Sequence, residues 1–315
     1  MRKTALFGAA GAIGRSITVA LTSQGRDYRV VGRSEVVLRS AFGADHRAEI
    51  VTWNPDDPAS IRAAAQDVGT LIYLVGADYT KFELHPILMR KTLDGAIAAG
   101  VPRVVLIGTV YPYGRAVANP VREDHPRNPH TFKGRMRKQQ EDALLEADAA
   151  GKIRGTILRL PDFYGPGVDK SFLQSIFVAA ANGGRALVIG PIDKPHQFIY
   201  VPDVGPVVIA LANEPRAYGR WWHLAGAGTI TVRQVAEEAF ALVGRKPKMT
   251  VASKTTLRLI GLFNPFIREV AEMHYLVTDP TILDDSALLR VLGDVKKTPY
   301  GEGIRQCVEA VKKAA

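Results

Sequence analysis

Cysteine is almost absent from this chain. The single thiol, Cys307, rules out an intramolecular disulfide framework and fits a reducing compartment, so a cytoplasmic protein is expected. Cys307 falls in a C-terminal helical pattern and reads as a packed thiol, not a nucleophile. No apolar run reaches membrane-spanning length. The Arg2-Lys3 start resembles the head of a signal peptide, but Gly8, Gly11, Gly14 and Arg15 interrupt the stretch behind it, and no membrane association is expected. The seven histidines, among them His46, His85, His196 and His223, lack paired metal-ligand spacing, so no metal is expected. Aromatics make up 8% of the residues, and the lysines and arginines behind the formal charge of +10 are scattered instead of forming an aromatic-interleaved stripe. That pattern speaks against nucleic acid and for a solvated basic surface that also serves anionic ligands.

What is present is a short apolar strand ending in Gly8-Ala9-Ala10-Gly11-Ala12-Ile13-Gly14. A pyrophosphate needs a tight turn, close backbone approach and a third glycine where helix meets strand, with the phosphate on the helix N-terminus. The context supports this reading. Ile13, Ile17, Ala20 and Leu21 share one helical face, and Tyr28-Arg29-Val30-Val31-Gly32 follows as a strand. Gly8, Ala10, Gly11, Ala12, Ile13 and Gly14 are therefore assigned to a dinucleotide. At the end of the second strand an acid would bind a ribose 2′-hydroxyl and an arginine a 2′-phosphate. Here Arg33 and Ser34 occupy that place, so NADP is expected over NAD. Arg33 also reads as a solvated loop charge, and Glu35 nearby keeps NAD open.

With 47% hydrophobic residues over 315 positions, the chain can bury a large core. Apolar strands at Val68–Gly76, Val104–Gly108 and Ile153–Leu160 alternate with helices at His85–Ala99 and Phe132–Ala149. That alternation predicts an α/β fold: a Rossmann-type, doubly wound parallel sheet with a smaller C-terminal substrate-binding region. The nucleotide domain is expected over 1–165, with 196–225 returning to it, and the substrate region over 166–195 and 226–315. Phe198–Val201 reads as a short strand, Asp203 as an N-cap and Val204–Asn213 as a helix carrying Pro206 in its first turn.

Four landmarks in order resemble the extended short-chain dehydrogenase/reductase superfamily, in its NAD-dependent epimerase/dehydratase branch. They are the glycine turn; Thr109 to Gly114; Leu158-Arg159-Leu160-Pro161-Asp162-Phe163-Tyr164-Gly165-Pro166; and Phe198-Ile199-Tyr200-Val201-Pro202-Asp203-Val204. Leu283-Asp284-Asp285-Ser286 and Thr298 to Arg305 extend the similarity towards the C-terminus. The resemblance implies that Asn54 stands beside adenine where an aspartate is usual. It also implies that Gly76, Ala77 and Pro161 line the cofactor, and that Thr109 replaces the family's serine. It implies a homodimer paired through the helices at 85–99 and 132–149.

One departure bears on chemistry. The family's Tyr-x-x-x-Lys pair is missing, since no tyrosine lies between Tyr113 and Tyr164; Lys133 and Arg137 take the two positions. Four residues apart on a helix, both reach the cofactor side. The first reading is NADPH-dependent reduction of a carbonyl or activated double bond of a small organic substrate. Lys133, its pKa lowered by a neighbouring cation, donates a proton there or stabilises developing oxyanion charge, and Thr109 assists. Isoflavone-reductase-like members of the superfamily use lysine in this way. Arg137 holds the ribose, Tyr111 is an alternative acid, and Tyr113 and Tyr164 read as packing residues. Asp162 either contacts substrate or caps a turn. Two other readings remain: an NADP(H)-binding redox sensor without catalysis, and a nucleotide-sugar epimerase or dehydratase.

Overall fold

The computed structural model describes residues 2–314. Seven strands pair in parallel: β1 (Lys3–Phe7), β2 (Tyr28–Gly32), β3 (Ala48–Thr52), β4 (Val68–Tyr73), β5 (Arg103–Thr109), β6 (Arg154–Leu160) and, out of turn, β10 (Arg220–His223). Their spatial order is β10-β6-β5-β4-β1-β2-β3, so the winding reverses between β1 and β4. In such a sheet ligands bind at that switch point, beyond the strands' carboxyl ends.

Alternation along each strand feeds two cores. Leu6, Val30, Ile72, Val105 and Leu158 face one way, onto α1 (Ala12–Ser23), α2 (Glu35–Phe42) and α7 (Val201–Asn213). Ala5, Phe7, Val31, Leu71 and Leu106 face the other way, onto α3 (Pro58–Ala64), α4 (Leu84–Ala98) and α5 (Phe132–Ala149). The α/β, doubly wound architecture expected from the sequence is the one observed.

The rest of the chain adds small elements around this sheet. Two-stranded pairs form from β7 (Asp162–Tyr164) with β9 (Phe198–Tyr200), and from β8 (Ala186–Ile189) with β11 (Met249–Ala252). A third core lies among α6 (Gln174–Asn182), α8 (Val232–Ala241) and α13 (Tyr300–Ala314), where Cys307 is buried. Between them run α9 (Lys254–Gly261), α10 (Pro265–Glu272), α11 (Tyr275–Thr278) and α12 (Ser286–Leu292). Leu288 of α12 packs into the first sheet core, so the C-terminal segment returns to the central sheet late in the chain. Among the described residues no helix is long and apolar enough to cross a membrane.

Three local expectations are corrected. The strand from Val68 stops at Tyr73, and Leu74 to Gly76 bend along the rim of the cleft. Asp203 is not an N-cap: the helix already starts at Val201, and the buried Asp203 carboxylate accepts from the Thr298 N–H at 2.6 Å and the Thr298 hydroxyl at 3.0 Å. Pro206 therefore sits beyond the first turn. Its missing N–H leaves the Pro202 carbonyl without a helical donor, and the Ser16 hydroxyl of α1 donates to that carbonyl at 3.3 Å.

Candidate active site

The switch point opens into a cleft with two connected lobes. One lobe, of ≈ 770 Å³, runs along the carboxyl ends of β1, β4, β5 and β6; the other, of ≈ 670 Å³, lies over β2 and the loop after β3. Gly8, Ala10, Val75 and Gly76 line both, so the lobes meet at the glycine turn.

Each glycine of that turn answers a separate steric demand. Gly8 has φ +85°, and a Cβ there would lie 2.8 Å from the Leu74 carbonyl. A Cβ on Gly14 would come 2.0 Å from the Ala9 carbonyl oxygen, which makes that glycine the close contact between α1 and the turn that precedes it. Gly11 differs: a Cβ there meets nothing within 4 Å, so open cleft stands over its backbone. Gly11 is also the extended N-cap of α1, no side chain caps the helix, and its first turn carries no acid. Free amides, the positive end of the dipole and open space suit a pyrophosphate. Ala12 and Ile13 line the same lobe, and Arg15, absent from the residues assigned to the dinucleotide by sequence, adds a cation directly after the third glycine.

The second lobe gathers Gly32, Arg33, Ser34, Trp53, Pro55, Asp56, Ala77 and Asp78. Arg33 is exposed and lines the lobe. Ser34 is more constrained than the sequence suggested, because its hydroxyl caps α2 by accepting from Val37 N–H at 3.4 Å. Asn54 does not line the lobe. Its side chain accepts from Asp56 N–H at 3.0 Å in a local turn, and its neighbours Trp53 and Pro55 form the wall instead.

At the far end of the first lobe stand Thr109, Tyr111, Arg137, Pro161 and Asp162. Thr109 closes β5, and its hydroxyl oxygen accepts from Tyr111 N–H at 3.3 Å. The Tyr111 hydroxyl lies 3.4 Å from that of Tyr79, and burial raises its pKa well above the ordinary phenol value. Arg137 is buried, donating to the Ile107 carbonyl and to His85 Nδ1 at 3.1 Å each. Desolvation, with Arg137 beside it, drives His85 down to about 2, so the imidazole is neutral and accepts. Asp162 carries the most altered carboxyl of the cleft: desolvation alone pushes it up to about 7. A polar side chain directly after Pro161, the residue that follows β6, is the signal that marks this position in the sequence.

Lys133 is placed apart from this group. It is fully buried, lies outside the cleft lining, and its ammonium is held between Glu269 and, at 2.6 Å, Glu272 of α10. The rings of Tyr79 and Phe82 lie 5.1 and 5.7 Å from it. Its neighbours are thus two carboxylates, where the sequence reading expected a second cation. Tyr113 and Tyr164 are buried packing residues, Tyr113 making a 2.6 Å hydrogen bond to His223.

Comparison with known proteins agrees with this architecture. The model of the NAD dependent epimerase/dehydratase family matches residues 5–222. A dTDP-6-deoxy-L-talose 4-dehydrogenase (NAD(P)(+)) of Kitasatospora kifunensis is 26% identical over 230 residues, 68% of this chain and 71% of that protein. A probable dTDP-4,6-dihydroxy-2-methyloxan-3-one 4-ketoreductase of Streptomyces antibioticus is 26% identical over 253 residues, 77% of each chain. The structure of UDP-glucuronic acid 4-epimerase from Bacillus cereus, solved in complex with NAD, covers 99% of both chains with a TM-score of 0.81 at 14% identity, a likeness of fold. The match spans the glycine turn and the cleft and reaches every strand of the central sheet, and on that ground the chain belongs to the NAD dependent epimerase/dehydratase family.

Proposed function

We propose that the chain is an NADP-dependent oxidoreductase of the short-chain dehydrogenase/reductase type, interconverting a carbonyl and a hydroxyl on a small substrate. Nucleotide sugars are the first class to test, because the two curated relatives are named for work on dTDP sugars. The observation that carries the reading is the continuity of the cleft: the glycine turn at its middle leads in one direction to Arg33 and in the other to Thr109, Tyr111, Arg137 and Asp162.

The open backbone over Gly11 and Gly76, and the uncapped start of α1, fit a dinucleotide pyrophosphate. Bound there, the nicotinamide would supply or accept the hydride. Arg33, at the second lobe, favours a 2′-phosphate over a bare ribose hydroxyl. The remaining work falls to side chains of this chain. Asp162 is the proton donor in the reducing direction, its carboxyl raised by desolvation to about 7. Tyr111 keeps its proton and donates a hydrogen bond, and Thr109 presents a hydroxyl beside it. Arg137, fixed by Ile107 and His85, holds a permanent positive charge towards developing oxyanion character. Lys133 becomes a positioning residue that pins α10 to α5 through Glu269 and Glu272.

The test is titration of purified protein with NADPH and NADH, then nicotinamide absorbance against dTDP- and UDP-keto sugars, simple ketones and enones. Tight NADPH binding with substrate-dependent oxidation is the expected result. Sugar isomerisation or dehydration with no net change in cofactor oxidation state would replace the reductase reading by the epimerase/dehydratase one. Nucleotide binding without turnover across the panel would replace it by a sensor.

A further inference from the structure

Much of the basic charge lies away from the cleft. Six cations and two carboxylates lie between Arg245 and Glu272. Both carboxylates, Glu269 and Glu272, reach inward to Lys133, whereas Arg245, Lys246, Lys248, Lys254, Arg258 and Arg268 are exposed, Arg268 lying 3.8 Å from Glu269. The outward charge of this segment is therefore dominated by one sign.

The same segment exposes apolar side chains. Five of the sixteen exposed large hydrophobic residues fall within 259–266: Leu259, Ile260, Leu262, Phe263 and Phe266. Their clustering separates them from singly scattered surface residues. Helical spacing explains the placement. Leu257 and Gly261 turn α9 inward, which leaves Leu259 on its opposite side, and Leu262 and Phe263 follow in the turn that ends the helix, where Phe263 is 91% and Leu262 73% exposed. After the turn, α10 fully buries none of its residues.

We infer that the α9–α10 hairpin docks on an anionic phospholipid surface, with Leu259, Leu262 and Phe263 at the acyl boundary and Lys254, Arg258 and Arg268 among the headgroups. An apolar edge flanked by lysines and arginines is what an interfacial helix needs. The charge pattern decides against a second copy: two-fold pairing of this face would set its cations against their own duplicates. Phosphate-backbone binding leaves the exposed leucines and phenylalanines without a role. Such docking runs against the expectation of no membrane association drawn from the lack of long apolar runs, since an interfacial hairpin needs no run of spanning length. Phe266 also packs on Tyr79, centroids 5.8 Å apart, and Tyr79 lies at hydroxyl contact with Tyr111, so the docked element is tied to the substrate end of the cleft. The inference stands whether or not the proposed reduction is correct.

The experiment is sedimentation of the full chain with vesicles of phosphatidylcholine alone or mixed with phosphatidylglycerol, at low and high salt. The protein should pellet with the mixed vesicles, be released by salt, and lose about tenfold or more of its partitioning in Leu262→Asp/Phe263→Asp and in Lys254→Glu/Arg258→Glu. These side chains are exposed, so unchanged thermal melting of the variants separates docking from folding. Failure to pellet with anionic vesicles, or equal pelleting of all variants, overturns the inference. So does self-association that Phe263→Asp abolishes in the absence of vesicle binding, which would assign the face to a second copy.

Discussion

At the nucleotide end of the cleft, shape comes from backbone. Gly8 adopts a conformation that other residues resist, Gly14 lets α1 pack close against the turn at Ala9, and Gly11 leaves open space over its amide. At the proposed substrate end, the polar groups come from side chains on separate elements: Thr109 closing β5, Tyr111 in the turn after it, Arg137 on α5 and Asp162 on β7. The first arrangement is written within seven consecutive residues. The second exists only once the sheet has formed, and its burial sets proton affinities that no local pattern encodes. The contrast predicts that damage at the first end removes binding altogether, while damage at the second leaves binding and removes turnover.

The largest effect should come from Gly14→Val. With even a Cβ only 2.0 Å from the Ala9 oxygen, α1 must shift, and nucleotide affinity should fall by about 100-fold or more, with a lowered melting temperature. Calorimetric titration and thermal unfolding read both. Asp162→Asn should show the opposite signature: kcat about 100-fold lower with unchanged nucleotide affinity, the scale of losing a general acid. The wild-type pH profile adds a sign. Because desolvation raises the Asp162 carboxyl to about 7, the proton needed for reduction is present below that value and lost above it. Reduction should therefore decline as pH rises through about 7, oxidation should increase, and Asp162→Asn should abolish this limb. If the limb persists in the variant, Asp162 is not the acid.

The same contrast explains what the sequence made legible. Strands and helices with continuous or periodic apolar patterns were readable to within a few residues, as in α5 at 132–149 and β6 at 154–160. So was the glycine turn, where each residue answers a local backbone demand. Asp203 was misassigned because its ligand, Thr298, lies 95 positions away. The two carboxylates around Lys133 come from α10, well over a hundred residues downstream, and nothing in the stretch from Phe132 to Lys138 announces them. Asp162 was visible as a residue but not as an altered acid, because its desolvation is supplied by the folded cleft.

Lys133 sharpens the comparison, since it links the substrate end to the C-terminal helices without lining the cleft. Removing its charge in Lys133→Met leaves Glu269 and Glu272, about one quarter exposed, without their shared partner. A loss of about 2 kcal/mol in unfolding free energy is expected, below the range for fully buried pairs because water reaches both carboxylates. Adding Glu269→Gln and Glu272→Gln should restore most of that stability and much of the turnover. A catalytic lysine behaves otherwise: turnover stays lost in the triple variant however stable it becomes.

Arg33→Ala probes the opposite end and should have the smallest effect. Arg33 is exposed at the second lobe, so its contact with a 2′-phosphate is partly screened by solvent and salt. Loss of a charge-assisted hydrogen bond there is worth about 1.5 kcal/mol, or roughly tenfold in NADPH affinity. NADH, with no phosphate at that position, should bind the variant as it binds the parent. The informative quantity is the ratio of the two affinities, because a general disturbance of the lobe would weaken both together. The ratio should also narrow in the parent as salt is raised, and the variant should not respond in this way. An unchanged ratio would leave Arg33 a solvated loop charge, and discrimination between the nucleotides would then fall to the other cations at that lobe, Lys81 and Lys91, of which Lys91 is already paired with Asp56 at 2.6 Å.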